Sequence, residues 1–117
     1  MNKILCSEAA WLAGLFEGEG STGIYKNKKT VAVRFSIPQH TQSVDVLHRI
    51  KEIVNVGNVN GPYKTKTGFV HFYQCTKQSD VEKLIKLIYP YLLARRRAQC
   101  DKVLEYIQRK SQDVFQN

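Results

Sequence analysis

LAGLFEGEG, residues 12–20, follows the apolar lead-in AAW of residues 9–11. The apolar spacing predicts a helix over 7–18, with Ser7 as its N-cap. The end of that helix breaks local rules. Glu17 and Glu19 stand where the carbonyl end repels negative charge. Gly14 and Gly18 fall inside or near the last turns, each costing about 1 kcal/mol against alanine in a helix interior. A chain that spends stability here must need those residues for something else.

A length of 117 residues with 43% apolar composition describes one domain, 1–117, with a modest core. No apolar run approaches the ~20 residues of a membrane span. The N-terminal stretch MNKILCSEAAWLAGLF lacks a small-residue cleavage site and carries Glu8, so it does not read as a secretory signal. Cys6, Cys75 and Cys100 form no CxxC pair and read as small core residues in a reducing, intracellular compartment. His71 and Cys75 make at most half a metal site, with no second pair to complete it.

The net charge of +8 is unevenly laid out. No acid lies between residues 20 and 44, or between 53 and 79. Those stretches hold Lys26, Lys28, Lys29, Arg34, Lys64, Lys66 and Lys77. An excess confined to two segments points to a polyanionic partner rather than to solubility alone.

Both acid-free segments read as β-hairpins. In VAVRFSI, Val31, Val33, Phe35 and Ile37 alternate with Ala32, Arg34 and Ser36. Asn27 and its lysines suit the turn. Thr41 or Ser43 is expected to cap a second helix, in which Val44, Leu47, Ile50 and Val54 keep helical spacing until Asn55 and Gly57. A second hairpin runs through GNVNGPY, KTKTG and FVHFYQCT. A third helix starts at Ser79 or Asp80 and meets Pro90. A final helix covers about 95–112, followed by a polar tail. The expected class is α+β, in the order α-ββ-α-ββ-α-α. If the hairpins join in one antiparallel sheet with helices on one face, the other face presents Tyr25, Arg34, Ser36, Asn58, Asn60 and Gln74. Asn27, Thr30, Lys64 and Lys66 extend it at the turns. Such a basic, hydrogen-bonding ribbon matches what a major groove receives. A half-solvated sheet alternates in the same way, but does not account for the missing acids.

LAGLFEGEGS, residues 12–21, resembles the signature of the LAGLIDADG homing endonucleases, DNA-cleaving enzymes of mobile introns and inteins. The element order agrees along nearly the whole chain. With one motif, the chain is similar to the single-motif, homodimeric branch. The resemblance implies that Glu19, at the motif's penultimate position, binds a catalytic divalent cation, where the family usually has aspartate. It implies Mg²⁺, with Mn²⁺ able to substitute, held by Glu19 and motif carbonyls such as that of Gly18. FSIPQHTQ, residues 35–42, resembles a segment whose glutamine organises active-site water, here Gln39. YPYLLARRR, residues 89–97, resembles the segment supplying a basic residue near the scissile phosphate, here Arg95, with Arg97 next. Lysine is common there, and arginine serves better as fixed charge than as a proton shuttle.

The resemblance further implies two motif helices packed through Leu12, Gly14, Leu15 and Gly18. The target would be a long, near-palindromic double-stranded DNA, cut across the minor groove with short 3′ overhangs. Plainer roles stand beside these. Gln39 also suits a turn, Arg95–Arg97 also suits a solvated charge run, and Glu17 points about 200° away from Glu19. The alternative function is a non-catalytic relative, either an intron RNA maturase or a DNA-binding regulator.

Overall fold

The computed structural model describes residues 3–116. Helix α1 (Cys6–Glu19) starts one residue before the expected Ser7 cap. Leu5 is the N-cap instead, and its N–H donates to the Glu8 carboxylate at 2.9 Å. An acid in the first turn suits the positive end of the helix. Strands β1 (Ser21–Lys26) and β2 (Val31–His40) form the first hairpin, closed where Asn27 N–H donates to Thr30 O at 2.8 Å.

A 3₁₀ turn at Thr41–Ser43 leads into α2 (Val44–Val54). Neither Thr41 nor Ser43 caps it with a side chain. The Thr41 hydroxyl is spent on His71 Nδ1, 3.0 Å away. Asn55 ends α2 with φ of 55°, the left-handed position that asparagine tolerates. Strands β3 (Asn58–Thr65) and β4 (Gly68–Cys75) form the second hairpin. Then come α3 (Gln78–Ile88), a 3₁₀ turn at Tyr89–Tyr91 containing Pro90, and α4 (Ala94–Gln116). α4 continues through the stretch that composition suggested was a tail.

The strands form one antiparallel sheet in the order β1-β2-β4-β3. The α+β class and the α-ββ-α-ββ-α-α order are therefore as expected. Alternation decides the faces. Val33, Phe35 and Ile37 of β2, with Tyr73 and Cys75 of β4, are buried beneath the helices. α2 contributes Leu47 and Ile50, α3 Val81, Leu84, Ile85 and Ile88, and α4 Cys100, Val103 and Ile107. Each fully buried Phe, Leu or Ile supplies about 1.5–3 kcal/mol.

α1 is fixed to this core by Phe16, whose ring stacks on Phe35 with centroids 4.8 Å apart, while Phe35 meets Tyr73 edge-on at 6.3 Å. The chain turns into β1 directly above Phe16. A Cβ on Gly20 would lie 2.8 Å from Phe16 Cα, so only glycine allows the turn. That turn delivers Glu19 to the rim of the sheet.

Candidate active site and nucleic-acid interface

Glu19 is the last residue of α1 and is exposed. Gln39, near the end of β2, faces the helix side of the sheet because it continues the series Phe35 and Ile37. Its Nε2 donates to Glu19 Oε2. Pro38, His40 and Val70 complete an open cleft around the pair, of about 390 Å³. The two residues assigned to the site from separate stretches thus meet.

Glu17 answers the opening puzzle differently from its neighbour. Its Oε1 accepts the Leu93 N–H at 2.8 Å, one residue before α4. The carboxylate disfavoured by its own helix is therefore placed at the positive end of another. Arg96 completes the joint. It is 7% exposed, donates Nε to Glu17 O at 3.0 Å and Nη1 to Gln99 Oε1 at 3.1 Å, and lies over the Phe16 ring. Sequence reasoning grouped Arg96 with its neighbours and missed this role. The available signal was helical phase, since Arg96 lies four before the buried Cys100.

The other two arginines separate. Arg97 donates Nη2 to Pro90 O at 3.1 Å and lies 5.0 Å over the Tyr89 ring, so it packs against the preceding segment. Arg95 is exposed, and among the described residues its side chain has no hydrogen bond or ion pair.

The open face of the sheet is set by register. Its rows are Tyr25 with Ala32, Gly23 with Arg34, Ser21–Ser36–Gln74–Asn58, Pro38–Phe72–Asn60, and His40–Val70–Tyr63. Arg34 stacks 4.3 Å over the Tyr25 ring, and Asn60 Nδ2 donates to Gln74 Oε1 at 3.2 Å. Three of the nominated contacts need correction. Ser36 is on this face but only 7% exposed, enclosed by the strands on either side. Lys64 pairs with Phe69, which shares the helix-side phase of His71 and Tyr73, because the irregularity between Asn60 and Tyr63 shifts the alternation. Leu12 is fully buried in the chain's own core and cannot face a second helix. Asn27 and Thr30 hold the first turn, and Lys66 is exposed in the second. Gly14 and Gly18 lie on the outer face of α1, where an added Cβ would meet nothing within 4 Å.

The donors suit a hard cation. Glu19 supplies a carboxylate at the negative end of α1, where last-turn carbonyls including that of Gly18 also gather. Mg²⁺ is commonly held by one or two carboxylates with water and substrate phosphates completing its shell. Among the described residues no three His, Cys, Asp or Glu side chains cluster, so one chain offers no closed protein cage. Cys75 and Cys100 do not compete: both are buried, and burial pushes the Cys100 thiol up to about 11.

This fold and this rim define a class: an α+β domain with one open polar sheet face and a carboxylate at the end of its first helix. The chain belongs to the LAGLIDADG endonuclease family, whose model matches residues 12–110. Similar solved structures include the homing endonuclease I-CvuI with its target in the presence of Ca, at 24% identity and TM-score 0.73, covering 88% of this chain and 67% of that one. I-CvuI with the I-CreI target in the presence of Mg, with DNA not cleaved, matches at 25% identity and TM-score 0.72, covering 87% and 66%. The LAGLIDADG meganuclease I-AabMI bound to uncleaved DNA matches at 23% identity and TM-score 0.79, covering 93% of this chain and 39% of that one. The chain thus spans about two thirds of I-CvuI and two fifths of I-AabMI. No helix among the described residues is long and apolar enough to cross a membrane.

Proposed function

We propose that the chain is a site-specific, divalent-metal-dependent double-strand DNA endonuclease that acts as a homodimer on a near-palindromic target. The observation that carries this reading is the Glu19–Gln39 pair, a carboxylate oriented at a helix end on the rim of a groove-facing sheet. Family membership and neighbours solved with DNA support it. One carboxylate per chain and the open Gly14–Gly18 stripe support two copies, each bringing a Glu19 to one scissile bond. Trp11, 39% exposed on the same side of α1, adds apolar surface for that pairing.

Mg²⁺ would be held by Glu19 and the Gly18 carbonyl, and would polarise the phosphate and lower the pKa of a bound water. The chain's own groups do the rest. Gln39 fixes the Glu19 carboxylate and presents its remaining amide hydrogen and carbonyl to water. Arg95 supplies fixed positive charge at the positive end of α4. The sheet holds the duplex in register. Cleavage on opposite strands would leave short 3′ overhangs.

Cleavage selection on a randomised palindromic library with Mg²⁺ tests this reading. It should yield one long symmetric site. Glu19→Gln should abolish cutting and retain binding. Absence of cutting on every library member with intact DNA binding would instead favour a non-catalytic relative.

A further inference from the structure

The open sheet face is chemically graded. Nearest the Glu19 cleft, His40 apart, it is apolar and amide-rich: Pro38, Val70, Phe72 and Tyr63, with Asn60 bonded to Gln74. Tyr63 is 51% exposed and its ring meets Phe72 with centroids 5.8 Å apart, so the apolar surface is offered outward. Farther along β2 the face turns cationic at Arg34. The two ends correspond to two different base edges. In the major groove a side-chain amide pairs with N6 and N7 of adenine, and apolar surface meets the thymine methyl. A guanidinium fork pairs with O6 and N7 of guanine.

Both polar readers are oriented before any ligand arrives. One Nδ2 hydrogen of Asn60 is committed to Gln74 Oε1. That leaves its second N–H and its carbonyl, the combination adenine requires. The Arg34 guanidinium carbon lies 4.3 Å over the centre of the Tyr25 ring. Stacking uses the face of the fork and leaves its in-plane donors free. The Tyr25 ring lies across Gly23, opposite Arg34, at ordinary contact distance, 3.7 Å from where a Cβ would stand.

We propose that each half-site is read at two points: an adenine by Asn60, positioned by Gln74, beside the cleavage point, and a guanine by Arg34 farther out. The inference rests on the endonuclease reading of the same face. Arg34 is two to four residues along the strands from the rows of Gln74 and Asn60. At ~3.4 Å per strand residue and ~3.4 Å per base pair, the guanine lies about four base pairs outward of the adenine that Asn60 reads.

The test is binding selection on a randomised half-site library with the full chain and Ca²⁺, repeated for Arg34→Ala, Asn60→Ala and Gln74→Ala, each checked for an unchanged circular dichroism spectrum. The expected result is an A·T-preferring inner position and a G·C outer position. Arg34→Ala should cut the guanine preference roughly tenfold at the outer position alone. Asn60→Ala should do the same for adenine at the inner one. Gln74→Ala should relax that inner position too, and the Asn60/Gln74 double variant should relax it no further than Asn60→Ala, which a merely structural role for Gln74 would not produce. An enriched site whose preferences at both positions survive all three variants overturns the inference while leaving the DNA-binding reading intact. Failure to enrich any site overturns the DNA-binding reading itself, and this inference with it.

Discussion

The Glu17 carboxylate accepts the backbone N–H of Leu93 at 2.8 Å, joining the end of the first helix to the start of the last across 76 residues of sequence. Arg96 doubles the joint by donating to Glu17 O. The segment that carries Glu19 and the segment that carries Arg95 are therefore held by one small cluster.

Glu17→Ala should destabilise the fold by about 1–2 kcal/mol, the usual worth of a charge-assisted hydrogen bond at a partly exposed helix end. Urea unfolding measures this. A midpoint equal to that of the parent chain would mean that the joint contributes nothing.

The three arginines should part in their effects. Arg95→Ala should lower cleavage at least tenfold with little change in unfolding midpoint. Arg97→Ala should affect stability more than cleavage, because its guanidinium is engaged with Pro90 and Tyr89. Single-turnover rates alongside thermal melts separate the two, and a reversed pattern would move the catalytic assignment to Arg97.

Gly14→Leu should leave the isolated fold intact, since nothing within 4 Å opposes a side chain there, but should break a helix-to-helix interface. Sedimentation should shift from dimer to monomer. A variant that stays dimeric at micromolar concentration places the interface elsewhere.

Burial pushes the Cys100 thiol from 9.0 up to about 11. A folded-state pKa above the unfolded one means that the native state keeps its proton longer, so stability is full below about 9 and falls as pH rises towards 11. Denaturation midpoints at stepped pH, compared with Cys100→Ala, should show the alkaline slope reduced in the variant. In the native state Cys6 alone should react promptly with a thiol reagent, because it is exposed while Cys75 and Cys100 are buried.

The element order was legible because periodicity and turn residues speak locally: VAVRFSI alternates as a strand does, and Val81, Leu84, Ile85 and Ile88 all face the core as their spacing requires. The Glu19–Gln39 encounter joins two distant segments that the motif resemblance singled out separately. What failed was long-range. Leu12 belongs to the core because α1 lies on Phe35, which no local pattern states. Lys64 changed faces through an irregularity near Gly61–Pro62 that alternation alone does not reveal. Arg96 was hidden in a run of identical residues whose roles only the packing of α4 separates.

Strand alternation has one last consequence. The side chains of the proposed DNA-reading face and those that hold the protein together occupy opposite sides of the same four strands, interleaved one by one. Retargeting can therefore proceed by exchanging every second residue, without reopening the interior. The freedom ends where β2 reaches Gln39, the position at which the inward series leaves the core and meets the Glu19 carboxylate.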